Sequence, residues 1–160
     1  MLTVRDATGP DTDWILKESG PLGGPEVVAG GMLHRLADYP AVIAEQDGEP
    51  VGFAVFRSGS HRWEILGILS VTHGTGIGSK LLDEVESRAR ESGAAQVRLS
   101  TTNDNFEALG FCQKRGYRMR QLIPGAFEEA KRLKGIPKTE RVIGASGIEI
   151  TDEIILNKNL

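Results

Sequence analysis

Apolar and polar residues alternate near the start of the chain, and this pattern predicts the first strands. LTVRDA is typical of a half-buried strand, and the turn TGPDTDW caps a short helix predicted over residues 12–19. Farther along, AVIAEQ and PVGFAVF flank the polar turn DGE, whose Asp-Gly pair is typical of a β-hairpin. We therefore expect these two runs to be antiparallel neighbours in a sheet.

Glycines and prolines are frequent in the stretch between these elements, residues 20–39. The pair Gly30-Gly31 interrupts any helix that runs from Glu26 to Asp38. We interpret the stretch as a broken helical region. Its glycine-rich part, GPLGGPEVVAGG, has two interpretations, a mobile lid over a site or flexible filler.

The middle of the chain changes from a strand pattern to a helix pattern and back. WEILGILSV is almost continuously apolar, which indicates a strand buried on both faces. Apolar residues then recur at helical spacing until Gly93 ends the helix, and AQVRLSTT is a further strand. Strand, helix and strand over residues 62–101 are typical of a right-handed parallel crossover. The predicted buried face of the helix consists of Ile77, Leu81, Leu82, Val85 and Ala89.

The last third of the chain predicts two short helices between strands. Asp104 followed by Glu107 is typical of a capping box, opening a helix that ends at Gly116. A strand over residues 117–123, an amphipathic helix in PGAFEEAKRLKGIP, a polar loop to residue 147 and a final strand in IEITDEIIL follow. No internal repeat or linker is visible. We therefore predict one α/β domain with a mixed sheet over residues 1–160.

Composition narrows the class of protein. A chain of 160 residues with 39% hydrophobic and 26% charged residues is ordinary for one globular domain. Its net charge of -3 argues against a main role in binding nucleic acid or an anionic membrane surface. The single cysteine, Cys112, cannot form an internal disulfide, and the three histidines show no metal-ligand spacing with it. We expect no metal and, without a signal peptide or a membrane-length apolar run, a cytoplasmic location.

The stretch HGTGIGSKLL, residues 73–82, places three glycines and a serine directly before the amphipathic helix. The first N–H groups of a helix lack intrahelical acceptors and point out of its end, where the helix dipole adds roughly half a positive charge. Glycine lets a ligand approach this backbone closely. The stretch therefore fits a phosphate or pyrophosphate site. A tight turn that binds nothing is the alternative.

Spacing separates three kinds of phosphate site. A P-loop needs Gly-Lys-Ser/Thr, whereas Lys80 follows Ser79 here, so that pattern fails. A dinucleotide-binding turn fits Gly74, Gly76 and Ser79 only with serine in place of the last glycine. It also needs an acidic residue at the end of the next strand, which here ends LSTT. The third kind of site binds coenzyme A.

Two motifs in this order resemble those of the GNAT superfamily of N-acetyltransferases. HGTGIGSKLL resembles its acyl-CoA pyrophosphate loop, with Gly76 and Gly78 in place and His73 where Gln or Arg is usual. NFEALGFC followed by RGY resembles its second motif, with Cys112 where a tyrosine is usual. The other matching residues of that motif are Asn105, Ala108, Phe111, Gly116 and Tyr117. The order of elements is similar along the whole chain, and the C-terminal part resembles small bacterial members of undefined substrate.

The resemblance implies the acyl-CoA N-acyltransferase fold and acetyl-CoA as co-substrate. In that fold a mixed, mostly antiparallel sheet has a central parallel strand pair that splays apart around the pantetheine arm. The Asn105 side chain would bond the pantetheine or a phosphate, or else only cap its helix, and Phe111 would serve as both core and cofactor wall. The implied backbone contacts to pantetheine come from Ile68, Leu69 and Ser70. The implied pyrophosphate cradle consists of His73, Gly74, Thr75, Gly76, Ile77, Gly78 and Ser79.

The resemblance also implies catalytic roles. An amine with a pKa near ~10 must lose a proton before it attacks, and Glu64, the one carboxylate in WEILGILSV, is the candidate base, acting through water. A strand-end glutamate that faces solvent is the alternative. The Ile68 N–H would stabilise the oxyanion. Cys112 is the candidate acid for the departing thiolate, because a thiol with a pKa near ~8.5 can donate a proton. A small buried hydrophobe, with water or another group as the acid, is the alternative.

Together these features predict acetyl transfer from acetyl-CoA to a primary amine of an unknown small molecule or peptide. The amine would attack directly in a ternary complex, without a covalent enzyme intermediate. Residues 20–39 and 124–147 are expected to shape the acceptor site. A non-catalytic acyl-CoA-binding regulatory module is the alternative, which the missing tyrosine favours, and a nucleotide-dependent oxidoreductase is a third. Paired subunits are common among similar proteins, which makes a homodimer a candidate, although the sequence itself does not show the oligomeric state. Nucleic-acid or membrane partners are not expected.

Overall fold

A computed structural model describes all residues from 1 to 160, and the chain forms two compact units. The first unit consists of Met1–Val27, His34–Val97 and Leu160, and the second consists of Val28–Leu33 and Arg98–Asn159. Compact units within one chain need not fold separately. The single domain over residues 1–160 stays a prediction.

Nine strands and four α-helices make up the regular structure, together with two short 3-10 helices. In chain order the elements are β1 Leu2–Asp6, α1 Gly9–Glu18, a 3-10 helix Gly20–Leu22, β2 Glu26–Ala29, β3 Met32–Arg35, a 3-10 helix Leu36–Asp38, β4 Ala41–Gln46, β5 Glu49–Arg57, β6 Arg62–Ser70, α2 Ile77–Glu91, β7 Gln96–Thr102, α3 Phe106–Lys114, β8 Arg118–Ile123, α4 Ala126–Lys134 and β9 Glu153–Asn159.

The first unit contains four antiparallel strands in the order β1-β4-β5-β6. The predicted hairpin of β4 and β5 is confirmed. Its turn residues Asp47 and Gly48 have φ of 53° and 85°, the left-handed backbone that a two-residue hairpin loop requires. The start of β7 lies beside the start of β6, because the N–H groups of Ala95 and Gln96 donate to the carbonyl of His61 at 2.7 and 3.3 Å. These two strands therefore run parallel.

Helices cover the two faces of this sheet. On one face, Phe53 and Val55 of β5 pack in a buried cluster with Ile15 of α1 and with Leu36. On the other face, Gly52 approaches α2 so closely that an added Cβ would lie 2.7 Å from the side chain of Ile77. The predicted buried face of α2 is confirmed. The residues in question, Ile77, Leu81, Leu82, Val85 and Ala89, are all buried.

The predicted broken helical region over residues 20–39 is wrong, because its centre is a β-hairpin. β2 pairs with β3 across the two-residue turn Gly30-Gly31, whose φ angles are 60° and 76°. The β-branched pair Val27-Val28 favours a strand before the turn. The two glycines supply the left-handed conformation that a type I′ turn needs. The helical structure in this stretch is limited to the two 3-10 helices.

The second unit contains β7 from Arg98 onward, and its strands lie in the order β7-β9-β8. β8 and β9 are antiparallel. β7 and β9 are antiparallel as well, since Asn103 at the end of β7 donates its N–H to the carbonyl of Asp152 before the start of β9. With β7 counted once, seven strands form the main sheet, and the α/β fold with a mixed, mostly antiparallel sheet is confirmed.

Two predicted boundaries in the second unit are wrong. The helix cap is not Asp104, whose buried carboxylate accepts from Thr102 Oγ1, but Asn105. The last strand begins at Glu153, because the N–H groups of Thr151 and Asp152 donate to Asn103 Oδ1, at 2.9 and 3.0 Å. The side-chain amide of Asn103 thus satisfies backbone donors that a strand ladder would otherwise use.

Candidate active site

The glycine stretch forms an exposed turn between β6 and α2 in the first unit. Gly74 and Gly76 have φ of 75° and 79°, a left-handed conformation that other residues adopt only with strain. Gly76 is the N-cap of α2 and its carbonyl accepts the first helical bond, from the N–H of Lys80 at 3.1 Å. Residues 71–76 are all exposed. The turn therefore presents its backbone to solvent directly at the helix end.

The start of α2 has the chemistry of an anion site. A glycine N-cap has no side chain to accept the N–H groups of the first turn, and no acidic residue lies in that turn. Fifteen residues of helix contribute to the positive end of its dipole. Inside the turn, Thr75 Oγ1 donates to the carbonyl of Thr72 at 3.4 Å. His73 is exposed and belongs to the turn, and its role toward a cofactor stays a prediction.

The backbone of β6 alternates in the direction of its polar groups. Val71 N–H donates to Val51 O at 2.9 Å, and the register pairs Phe53 with Leu69 and Ala54 with Ile68. In an antiparallel pair the residues alternate between those bonded to each other and those whose N–H and C=O point outward. The polar groups of Ile68 and Ser70 thus point to the edge of β6 away from β5, whereas those of Leu69 face Phe53.

Glu64 is a buried carboxylate on β6. Its side chain is 10% exposed, and its Oε1 accepts a hydrogen bond from Arg57 Nη2 at 2.9 Å. The register between β5 and β6 shifts at this point, because Val55 pairs with Gly67 but Phe56 pairs with Ile65. Glu64 does not face solvent as a strand-end residue would, so the alternative of an exposed glutamate is wrong.

Cys112 lies on α3 in the second unit and is 3% exposed. Burial raises the pKa of its thiol to about 11, because the surroundings disfavour the thiolate. A thiol with that pKa is a weaker proton donor than an ordinary one near ~8.5. Its burial fits the interpretation of a small hydrophobic residue. The role of Cys112 as the acid stays a prediction.

Asn105 and Phe111 also lie on α3 or at its start. The Asn105 side chain accepts a hydrogen bond from the N–H of Ala108 at 3.1 Å, which is the capping interaction. Its role toward a cofactor stays a prediction. Phe111 is half-buried, and the Arg115 guanidinium lies 4.9 Å from the centre of its ring.

The predicted site residues divide between the two units. The first unit brings together Glu64, the outward-facing part of β6 and the turn from His73 to Ser79, since α2 follows β6 directly. The second unit brings together Asn105, Phe111 and Cys112 on one helix. No group of three or more His, Cys, Asp or Glu side chains is arranged to hold a metal ion.

Sequence reasoning missed two polar contacts in the first unit. Arg57 was not a candidate, although a charged residue at the end of one strand and Glu64 near the start of the next signal a cross-strand pair. His34 is buried, and its Nδ1 lies 2.8 Å from the hydroxyl of Tyr39. A histidine at the end of a glycine-rich stretch gives no signal of that contact.

Comparisons with known proteins bear on the whole chain. Residues 12–117 match the acetyltransferase (GNAT) family. The uncharacterized protein YdhI of Bacillus subtilis (strain 168) is 34% identical over 149 residues, which cover 92% of this chain and 89% of that protein. YxbD of the same organism is 34% identical over 140 residues, which cover 86% of each protein.

Solved structures show the same fold at lower identity. A GNAT family acetyltransferase from Elizabethkingia anophelis with acetyl-CoA bound is 20% identical, with a TM-score of 0.72 over 99% of this chain and 98% of that one. The IAA acetyltransferase from Bacillus cereus ATCC 14579 is 23% identical, with a TM-score of 0.73 over 100% of both chains.

None of the helices has an apolar stretch long enough to cross a membrane.

Proposed function

Because this chain belongs to the acetyltransferase (GNAT) family, we propose that it transfers the acetyl group of acetyl-CoA to a primary amine. The observation that carries the proposal is the left-handed glycine turn at the start of α2, without a side-chain cap and without an acid in the first turn. Such a helix end favours a diphosphate. The coenzyme A part of the co-substrate supplies that group.

The donor set of the first unit fits acetyl-CoA. The N–H groups from His73 to Ser79 would hold the pyrophosphate, and no Cβ at Gly74 or Gly76 would push it away. The outward-facing backbone groups of Ile68 and Ser70 would bond the pantetheine amides. Leu69 remains in the proposal, although its backbone groups face β5. In the second unit, Asn105 and Phe111 stay predicted cofactor contacts, an amide and an aromatic wall.

Transfer requires a neutral amine. Glu64 would accept a proton from the ammonium group through water, after which the amine nitrogen attacks the carbonyl carbon of the thioester. The C–N bond forms, the carbonyl oxygen takes up negative charge, and the Ile68 N–H, pointing away from β5, would stabilise it. The C–S bond then breaks and the electron pair leaves on sulfur. No covalent bond to the protein is needed.

The departing thiolate finally takes a proton. Cys112 stands where the family motif has a tyrosine, but the pKa of its buried thiol, about 11, makes donation to another thiolate unfavourable. The attacking nitrogen still carries the proton that the amide product must lose, and this proton is proposed to reach the thiolate through water, with Cys112 retained as the candidate that a substitution can test. This weak acid step favours the second candidate function, a regulatory module that binds acyl-CoA without turning it over.

The acceptor class is a small molecule or a peptide that carries the amine. The similar solved structures include an IAA acetyltransferase and a nourseothricin acetyltransferase, whose acceptors differ. At identities of 23% and 19% these likenesses carry over the fold and no acceptor. Residues 20–39 and 124–147 are proposed to shape the acceptor site. A homodimer stays a prediction.

The test is acetyl-CoA turnover against a mixed library of amines, polyamines, amino acids and peptides, with released thiol as the readout. We expect turnover with at least one class, and a loss on the order of 100-fold in Glu64→Gln. Glu49→Gln, an exposed glutamate on β5, is the matched control and should keep the wild-type rate.

Binding separates the alternatives. Acetyl-CoA binding by calorimetry together with background thiol release over the whole library would establish the regulatory module. A thermal shift with NAD and none with acetyl-CoA would establish the oxidoreductase.

A further inference from the structure

Arg57 and Glu64 form an ion pair across the β5–β6 hairpin. The two residues are register partners, and Arg57 Nη2 donates to Glu64 Oε1 at 2.9 Å. The carboxylate is almost fully buried, whereas the side chain of Arg57 is 45% exposed. A buried carboxylate is costly unless a charged or hydrogen-bonding partner compensates it. Arg57 supplies both the charge and the hydrogen bond.

The pair lies on one defined face of the sheet. Every second residue of a strand points to the same face, so residues 53, 55 and 57 share one side of β5. On this side, Phe53 and Val55 pack against Ile15 and Leu36. Register partners share a face, so Glu64 lies on this side too. On the opposite side, Phe56 stacks on Trp63 with ring centres 5.1 Å apart.

A β-bulge places Glu64 on that face. Between the pairs Val55–Gly67 and Phe56–Ile65, β6 has one residue more than β5, and that residue is Leu66. Simple alternation back from Gly67 would put Glu64 on the α2 side. The bulge reverses the faces of β6 before Leu66, and thereby brings the carboxylate to the Arg57 guanidinium.

We infer that Arg57 is a positioning residue for Glu64, which holds the carboxylate in one orientation on the α1 side of the sheet. This inference rests on the proposed function, in which Glu64 is the base. A Glu64 side chain held by Arg57 keeps its carboxylate in a constant position relative to the acceptor amine. A displaced base would lower the rate of acetyl transfer. Arg57 acts through Glu64 and does not bind acetyl-CoA.

The experiment is a double-mutant cycle of Arg57→Gln and Glu64→Gln. In the wild-type background, we expect Arg57→Gln to lower kcat about tenfold and to leave the KM for acetyl-CoA within about twofold. In the Glu64→Gln background, the same change should have no further effect on kcat, because the group that Arg57 positions is absent. Arg62→Gln, an exposed arginine at the start of β6, is the control and should leave kcat unchanged.

Rescue separates positioning from general stability. Arg57→Lys keeps the charge and should recover part of kcat, and free guanidinium at millimolar concentration should raise the kcat of Arg57→Gln but not that of Glu64→Gln. Thermal unfolding of each variant shows whether the fold is intact. If Arg57→Gln is poorly folded, Arg57→Lys and its cycle with Glu64→Gln give the decision.

The outcomes distinguish the two proposals. If the wild type shows no turnover with any amine, the proposed function fails and this inference fails with it. If Glu64→Gln lowers turnover but Arg57→Gln does not, only the inference is refuted. Equal effects of Arg57→Gln in both backgrounds refute it as well, since Arg57 would then act independently of Glu64.

Discussion

The starts of α2 and α3 solve the same problem in opposite ways. Both helices leave first-turn N–H groups without intrahelical acceptors. At α3 the Asn105 side chain accepts from the N–H of Ala108, and the helix closes its own end. At α2 the N-cap is a left-handed glycine without a side chain. The difference teaches that an end closed by its own side chain serves the fold, whereas the start of a 15-residue helix whose N-cap has no side chain is suited to a ligand.

The strongest way to break the comparison is to close the end of α2 with a charge. Gly76→Asp places a carboxylate where the diphosphate is proposed to bind and disfavours the left-handed backbone, whose φ is 79°. We expect the Kd for acetyl-CoA to rise on the order of 100-fold, measured by calorimetry.

Gly135→Asp is the matched control for that change. Gly135 caps the end of α4 with a φ of 73°, so the substitution causes similar backbone strain far from the turn in sequence. It should lower stability and leave the Kd unchanged. Equal losses of affinity in both variants would show that the turn at α2 has no special role.

A second test uses the buried thiol of α3. Burial raises the pKa of Cys112 from 9.0 to about 11, so the folded protein holds this proton more tightly than the unfolded chain. The resulting stability, roughly 3 kcal/mol, is fully present below pH 9.0 and is lost as the pH rises to about 11. Urea unfolding should show this loss in the wild type.

Cys112→Ala removes the titrating thiol, so the free energy of unfolding of this variant should fall less between pH 9.0 and about 11 than that of the wild type. The same variant tests the acid step. If its kcat stays within about twofold of the wild type, Cys112 is not the proton donor. A loss of kcat on the order of 100-fold without a change in Kd would restore that role.

The smallest expected effects separate the two roles of Asn105. Asn105→Ala removes the cap and should lower the free energy of unfolding by about 1 kcal/mol, measured by urea denaturation. Asn105→Asp keeps an acceptor for the Ala108 N–H and should retain that stability. If Asn105 also bonds the cofactor, Asn105→Asp weakens acetyl-CoA binding by roughly tenfold, because it replaces an amide donor with a negative charge. An unchanged Kd in Asn105→Asp would leave the cap as its one role.

Elements with a strong periodic signal were predictable from the sequence. The apolar spacing from Ile77 to Ala89 predicts α2 and its buried face, and both are observed. The Asp-Gly turn predicts the hairpin of β4 and β5, which is also observed. The β2–β3 hairpin is not predictable in the same way, because the pair Gly30-Gly31 is compatible both with a break in a helix and with the two-residue turn that the structure shows. The start of β9 was misplaced because its donors bond Asn103, about fifty residues earlier, and no local pattern shows such a contact.

The candidate site was predictable to a similar degree. The turn from His73 to Ser79 followed from local backbone chemistry, and the structure places it at a helix start. Glu64 was recognised as unusual in an apolar strand, but its partner Arg57 was not. That pairing depends on the extra residue in β6, and a register shift leaves no mark in the pattern of side chains.

The side of the sheet on which Glu64 lies depends on the extra residue of β6, Leu66, and on the bulge that accommodates it. Parity along the strand, odd or even, decides it, and the identity of the neighbouring side chains does not. Regular pairing of β6 with all its residues but without the bulge would exchange the contents of the two sides, so that Trp63 would enter the layer beside α1 and the carboxylate would meet α2. Loss of Leu66 would remove the bulge and the extra residue together and would keep the carboxylate beside Arg57, so the proposed chemistry depends on the register of β6 and not on Leu66 itself.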